Sequence, residues 1–469
     1  MEGQLNYIKD KLKNSFDVKY REVDSGLGPV TLVFIDLLCS AIMIGDFVVN
    51  PLKKFKDDIK EPDDIITKSL NTIVADFLKD EEEAISHILS GDIVLIFKNT
   101  DKMIYCDVKG AVRRSVGIPI TEAVIKGPRE GFTEAFVDNI ALIRRRIKSP
   151  KLKFEPMMVG KTSQTVVCIG YLDGVVSGEL VNEVKQKVQG LDYDFILDTN
   201  YIEDELRAKK TIFDTVGYTE KPDEVSAKIM EGRVAIIVDG TPFVLTVPYF
   251  FLENFQTPDD YYTNKYFANF TRGLRWLAFF IAMFLPALYV AVITHHFSMI
   301  PSLFVFRLAV ARAGVPFPTV VEVILMMVFF QLIKEAGLRL PQPIGTAMSI
   351  VAALILGDAA VGAGLASRIT ILIVAISTVC YFLVPRAYGA ISLWSMGFVI
   401  LSGFFGLPGF ILGFLILVSH LSNIKSCNFT YLFPIETLKT HKFKDLMFRG
   451  DLKTISKKVI DEDDKHEKN

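Results

Sequence analysis

The sequence predicts an α+β membrane protein: two related cytosolic α/β subdomains followed by a polytopic α-helical transmembrane domain. Three observations lead there. Across 469 residues, apolar side chains make up 50% and charged ones 23%, and a mean hydropathy of +0.34 lies past the soluble average. Hydropathy is also lopsided: up to about Arg272 the apolar runs are strand-length and broken by charge, whereas beyond Gly273 they reach spanning length. Finally, a strand-and-helix pattern recurs within the first half. The expected division is a tail over 1–20, subdomains over 21–150 and 151–264, a transmembrane domain over 265–424 and a cytosolic tail over 425–469.

The first segment, MEGQLNYIKDKLKNSFDVKY, is too polar for a secretory leader, so the first half is expected in the cytosol. Thr31-Leu-Val-Phe-Ile-Asp36-Leu-Leu-Cys-Ser40 is matched by Cys168-Ile-Gly-Tyr-Leu-Asp173-Gly-Val-Val-Ser177, 137 residues on. Ala84 to Phe97 is matched by Val225 to Val238, 141 residues on and aligned on Gly91 and Gly232. Two matches in one order at nearly one spacing indicate duplication; two unrelated α/β units are the alternative. Each glycine follows a helix-period segment and precedes a β-branched run, where a left-handed cap is needed. Between the halves, the basic run from Arg144 to Lys153 around Pro150 reads as a linker or solvated helix end, or a contact to anionic lipid.

Gly273 to Thr294 is the clearest span, with Trp276 where aromatic belts form and Pro286 as a tolerated kink. His295 to Gly314 carries Arg307 and Arg312 and is expected at the interface; Val315-Pro-Phe-Pro318 restarts the chain. Thr319 to Ala336 is apolar yet holds Glu322, Gln331, Lys334 and Glu335. A charge at the bilayer centre costs about 2.5–3.5 kcal/mol, so these should face protein or water. At 100° per residue, Gln331, Lys334 and Glu335 share a face opposite Glu322. Snorkelling explains Lys334 and Glu335 but not Glu322, which requires a second partner unless the helix is partly interfacial.

Ile344 to Ala366 carries small residues at Gly345, Ser349, Ala353 and Gly357, continued by Ala360 and Gly364, a stripe that lets helices approach closely in lipid. A ring of such helices would turn Val351 and Leu354 inward as an apolar constriction and Asp358 as a charged ring, the plan of a gated cation pore. A buried packing helix with one capped Asp is the other reading. Thr370 to Val384 is a further span, ended by Pro385-Arg386, and Ile391 to Ser422, interrupted at Gly403, Gly406, Pro408 and Gly409, reads as two short spans or a hairpin. The tail, basic between Lys439 and Lys458, belongs in the cytosol by the positive-inside rule, which requires an even number of crossings.

Several chemistries are excluded. A net charge of −2 and a pI near 6.4 give no basic field for nucleic acid. Five scattered cysteines form neither a disulfide framework nor a zinc site, and the histidines, His295-His296 included, show no metal-ligand spacing. Gly160-Lys-Thr162 lacks the glycine of a phosphate loop, since position 155 is Glu155, and Gly26-Leu-Gly28 lacks the third glycine of a dinucleotide turn. No GxSxG elbow occurs, and Asp192, Asp194 and Asp198 read as solvated acids. No catalytic residue, metal or cofactor is expected, and the chain is not expected to be an enzyme.

The blocks Arg114-Ser-Val-Gly117, Gly127-Pro-Arg-Glu-Gly-Phe-Thr-Glu134, Glu231-Gly-Arg-Val-Ala-Ile-Ile-Val-Asp-Gly-Thr-Pro-Phe243, Pro258-Asp-Asp-Tyr-Tyr262, Gly314-Val-Pro-Phe-Pro318, Glu335-Ala-Gly-Leu-Arg-Leu-Pro341 and Gly357-Asp-Ala-Ala-Val361 resemble those of the spore germinant receptor A subunits, the GerA family. A close relative is encoded beside the dipicolinic-acid release proteins. The resemblance spans roughly 15 to 435. It implies a multi-pass protein of the spore inner membrane, oligomeric, as a pentamer, around a nutrient-gated cation path. Implied partners are membrane lipid, a transporter-like B subunit that binds the nutrient, and a lipoprotein C subunit. It favours the pore reading of Ile344 to Ala366 and makes Asp358 the foremost site. Many relatives carry an acid and an arginine where this chain has Gln331 and Lys334, so a role for that acid does not transfer. An accessory channel amplifying ion or dipicolinic-acid release, and a non-conducting, membrane-anchored small-molecule-binding scaffold subunit, are the alternatives.

Overall fold

Long β-branched runs punctuated by glycine and acidic turns build two sheets of the same design. The computed structural model describes residues 2–55, 61–72, 74–110, 119, 122, 124–340, 354–435, 445 and 447–455. In the first sheet β1 (Val18–Ser25), β2 (Gly28–Ile35), β3 (Ala75–Leu78), β4 (Asp92–Phe97) and β5 (Met103–Asp107) lie in the order β1-β2-β4-β5-β3. In the second, β6 (Leu152–Val159), β7 (Thr165–Leu172), β8 (Gly217–Thr219), β9 (Val234–Val238) and β10 (Val244–Val247) lie in the order β6-β7-β9-β10-β8. Strand for strand the orders coincide, and all the pairings within them are antiparallel.

The repeated segments occupy equivalent places: one pair supplies β2 and β7, the other the helices Glu81–Ser90 and Pro222–Met230 with the strands β4 and β9 that follow. Strands β4 and β9 are buried along their whole length, as central strands must be. The helix Glu81–Ser90 starts at Asp80, whose carboxylate accepts the Glu83 N–H at 2.8 Å, and buries Ala84, Ile85, Ile88 and Leu89 on one stripe. It ends at Gly91 with φ of 92°, and Gly232 takes φ of 97° at the matching turn. Left-handed backbone of this kind is what glycine permits without steric cost.

The sheets meet edge to edge through a bridge between Ser15 and Phe154. Here the basic run departs from the expected linker. Arg144 is buried, with its Nε 2.8 Å and Nη2 3.0 Å from the two oxygens of buried Asp17 and its Nη1 2.9 Å from the Leu152 carbonyl. Only the tertiary contact reveals this, because a buried and a solvated arginine look alike in a helix-end sequence. The segment before β1 is likewise docked: helix Glu2–Lys11 places Ile8 among Ile85, Ile88 and Leu89.

Beyond the sheets the chain is helical. Lys265–His295 and Pro385–Phe405 are the two helices, among the described residues, long and apolar enough to cross a membrane; Arg368–Tyr381 and Leu407–Asn423 are shorter apolar helices. Lys265–His295 packs against these last three, and buried Ala278, Ala282, Ala287 and Ala291 leave room for close approach. The glycine-broken stretch is a helical hairpin, Tyr388–Phe405 and Leu407–Asn423, turning at Gly406. Helix Ser302–Arg312 buries no residue. Of Ile344 to Ala366, residues 344–353 lie outside the described residues; 354–362 are helical.

The helices run alternately between two ends. At the end bearing the sheets, Arg386 meets Glu224, and His420 Nε2 lies 3.1 Å from Thr211 Oγ1. At the far end Gly406 sits against His295 and His296, Gly403 against Val320, and Gly364 against Gly314. An aromatic cluster of Phe213, Phe251, Phe255, Trp276, Phe279 and Tyr431 closes the sheet end, with Phe255 and Trp276 stacked 3.8 Å apart; such pairs contribute about 0.5–1.5 kcal/mol each beyond the area they bury.

Replacing Arg144 by Ala leaves the Asp17 carboxylate buried without its partner, and thermal or denaturant unfolding of the full chain should register a loss of about 3–5 kcal/mol. The paired change Asp17→Leu with Arg144→Met should recover most of it. A single variant within 1 kcal/mol of the parent, on the scale of an exposed pair, would show that the contact does not join the sheets.

Candidate functional site

Helix Thr319–Arg339 begins after Pro318 and turns Glu322 inward, where it is fully buried. Such a charge persists only with partners. Arg312 Nη2 donates to Oε1 at 3.1 Å, while the Ser367 N–H at 3.1 Å and the Thr370 hydroxyl at 2.9 Å donate to Oε2. Thr370 Oγ1 also lies 3.2 Å from the Tyr289 hydroxyl. The carboxylate therefore ties three helical segments together at the end remote from the sheets, and Thr370 extends the network to a fourth through Tyr289.

The other polar groups of this helix are disposed differently. Gln331 accepts a hydrogen bond from the Tyr388 hydroxyl, Lys334 lies over the Tyr388 ring, and Glu335 is exposed and paired along its own helix with Arg339 at 2.6 Å. Leu354 and Asp358 stand one turn apart on the 354–362 helix, and both are exposed in the single chain, Leu354 to 73%. Gly357 is half-buried. Val351, Gly345, Ser349 and Ala353 lie outside the described residues.

A second constellation, absent from the sequence expectations, joins the helical half to the second sheet. Pro385 ends one apolar stretch and sets Arg386 at the start of the next, facing helix Pro222–Met230. Its Nη2 lies 2.7 Å from Glu122 Oε1 and 3.0 Å from Glu224 Oε2, and its Nη1 3.0 Å from Glu224 Oε1. Glu224 also meets Lys228 at 3.1 Å, which reaches Glu253 at 3.4 Å, and Glu253 in turn pairs with Arg233. Nearby, Asp260 accepts from Arg272 at 3.1 Å and from Arg275 at 2.7 Å at the foot of helix Lys265–His295. Residues so far apart share no spacing that reading along the chain could detect; the one local signal was Pro385-Arg386 at the end of an apolar run.

Burial would raise the pKa of the Glu224 carboxyl, but the Arg386 guanidinium and the Lys228 ammonium outweigh it and hold the group well below its usual range. Burial is likewise overcome at Glu253 by Arg233 and Lys228, and at Asp260 by Arg275 and Arg272. Among the described residues no group of His, Cys, Asp and Glu is placed to hold a metal ion. The ionisable groups of Arg386, Glu122, Glu224, Lys228, Glu253 and Arg233 are paired with one another.

A sequence model described as "Bacillus/Clostridium GerA spore germination protein" matches residues 6–459. The "Uncharacterized membrane protein YfkQ" of Bacillus subtilis (strain 168) is 35% identical over 447 residues, 94% of this chain and 87% of that protein. "Spore germination protein KA" of the same strain is 36% identical over 449 residues, 94% of this chain and 82% of that one. Among solved structures, the N-terminal domain of the A subunit of the Bacillus megaterium spore germinant receptor GerK3 is 29% identical, with a TM-score of 0.41, and covers 53% of this chain and 94% of its own.

Because these carboxylates have depressed pKa values in the folded state, their stabilisation is present above the unfolded value, near pH 4, and is lost as pH falls through the folded one. Melting temperature should therefore hold from neutrality to about pH 5 and then drop, with a shallower drop in Glu224→Gln. Arg386→Ala should cost about 3 kcal/mol at pH 7 by leaving Glu122 and Glu224 without their partner. A melting temperature indifferent to Arg386→Ala would remove the joint from the account.

Proposed function

The chain belongs to the GerA spore germination protein family, and from that premise we propose that it is the A-type subunit of a spore germinant receptor whose copies assemble in the inner membrane around a cation path. One observation supports this above the rest. Asp358 and Leu354 are exposed on a helix in the apolar half, where a carboxylate facing lipid is unfavourable, by up to about 2.5–3.5 kcal/mol at the bilayer centre. Water or a neighbouring copy relieves that cost; a ring of copies supplies both, with Leu354 as an apolar gate and Asp358 as a ring attracting cations.

The alternation of the helices between two ends supports a multi-pass reading. Lys265–His295 and Pro385–Phe405 are long and apolar enough to cross, with Arg368–Tyr381 and Leu407–Asn423 as shorter apolar helices beside them, and an even number of crossings would keep both sheets and the final segment on one side. Phe280, Leu372, Leu393, Phe404 and Ile411 are among the exposed side chains that lipid would cover. Glu322, clasped at the far end, serves as the pivot of the bundle. A transporter-like B subunit and a lipoprotein C subunit complete the receptor, and Arg386 carries movement between the helices and the second sheet.

The test is potassium flux across liposomes holding the purified oligomer. Asp358→Asn should lower the potassium-to-chloride permeability ratio about tenfold, equivalent to ~1.4 kcal/mol of lost cation stabilisation, and Leu354→Ala should raise the resting leak. An oligomer that passes no ions, alone or with its partner subunits and a nutrient, would leave the non-conducting scaffold reading in place. Flux with unchanged selectivity in Asp358→Asn would move the charged ring elsewhere.

A further inference from the structure

A cavity of about 370 Å³ lies at the joint, between helix Pro222–Met230, the turn Phe251–Phe255, Arg386 and the C-terminal residues Asp445, Leu452 and Ile455. That is within the size range of small-ligand pockets, about 300–1,000 Å³. Its polar lining distinguishes between classes of occupant. The cations of the wall are engaged: Lys228 lies 3.1 Å from Glu224 and 3.4 Å from Glu253, and Arg386 is held by Glu122 and Glu224. An anion entering here would have to displace a carboxylate from its partner.

The unused hydrogen-bonding capacity belongs to acceptors. Asp223 takes the Tyr262 hydroxyl on one oxygen, while its Oδ1 is buried and accepts no hydrogen bond among the described residues. The nearest ammonium, Lys221, is 3.4 Å away and donates instead to the Pro128 carbonyl at 2.9 Å. Glu231 meets Arg233 only at 3.4 Å. The Tyr261 and Tyr262 hydroxyls are both given to carboxylates, Tyr261 to Asp445 at 2.6 Å, which leaves their rings as wall surface. Aromatic faces beside carboxylates with spare lone pairs receive an N–H-bearing cation, and Met230, Leu452 and Ile455 offer an apolar surface for its hydrocarbon part.

We infer that this cavity is a binding site for a small organic ammonium ion with a short alkyl body, its nitrogen directed to Asp223 beside the Tyr262 ring. Since Arg386 forms part of the wall, occupancy bears on the joint between the sheets and the helices. The site stands whether or not the oligomer conducts.

Isothermal titration of the full chain in nanodiscs with butylammonium, and with butanol as its uncharged counterpart, tests the assignment. Saturable one-site binding of butylammonium and none of butanol is expected. Asp223→Asn should weaken it about tenfold or more. Met230→Trp, which fills the cavity from a half-exposed position and touches no ion pair, should abolish it with the melting temperature kept, and this variant decides the matter if Asp223→Asn does not fold. The inference is overturned by absence of saturable binding, by equal binding of butanol, or by affinity unchanged in Met230→Trp.

Discussion

The architecture depends on a largely buried guanidinium clasped by two carboxylates: Arg386, at the junction of two apolar helices, set against Glu122 and Glu224 of the sheet half. Neither side of this contact is stable alone. A largely buried arginine without its acids, or the acids without the arginine, leaves charge that water compensates only in part. The contact therefore makes the position of the second sheet and that of the helix hairpin mutually dependent, and the aromatic cluster around Phe255 and Trp276 packs at the same end of the helices.

The two sheets of the first half share one design, as a duplication would leave them. Both sheets have one strand order, and the helix before the central strand is equivalent in each, Glu81–Ser90 in one and Pro222–Met230 in the other. The two copies have taken different tasks. The first helix turns buried Ala84, Ile85, Ile88 and Leu89 onto its own sheet and the docked N-terminal helix. The second carries Asp223, Glu224 and Lys228 on the side that meets the apolar half. The second helix still packs Val225 and Ile229 on its sheet, and its polar residues add an interface to that packing.

The fold was legible in the sequence to the extent that it is local. Continuous β-branched runs preceded by glycine marked the central strands, and the repeat offset reflected a shared topology that no single segment revealed. Gly403, Gly406 and Pro408 announced the hairpin. The site was less legible. Glu322 stood out because an acid in an apolar helix requires partners, but Arg312, Ser367 and Thr370 were not identifiable, since they come from separate segments. Arg144 was misread as solvated because a basic helix end is usually so, and its buried partner Asp17 lies 127 residues earlier.

By itself the sequence marked the central strands, the longest apolar helix and the passage from sheets to apolar helices, because each follows from side-chain periodicity and backbone preference within a short window, and it suggested that the first half is doubled from matches 137 and 141 residues apart. Tertiary structure alone decided which charges are paired. Coulombic partners are chosen by proximity in space, and burial, which sets the worth of each pair, belongs to the folded chain rather than to any segment of it.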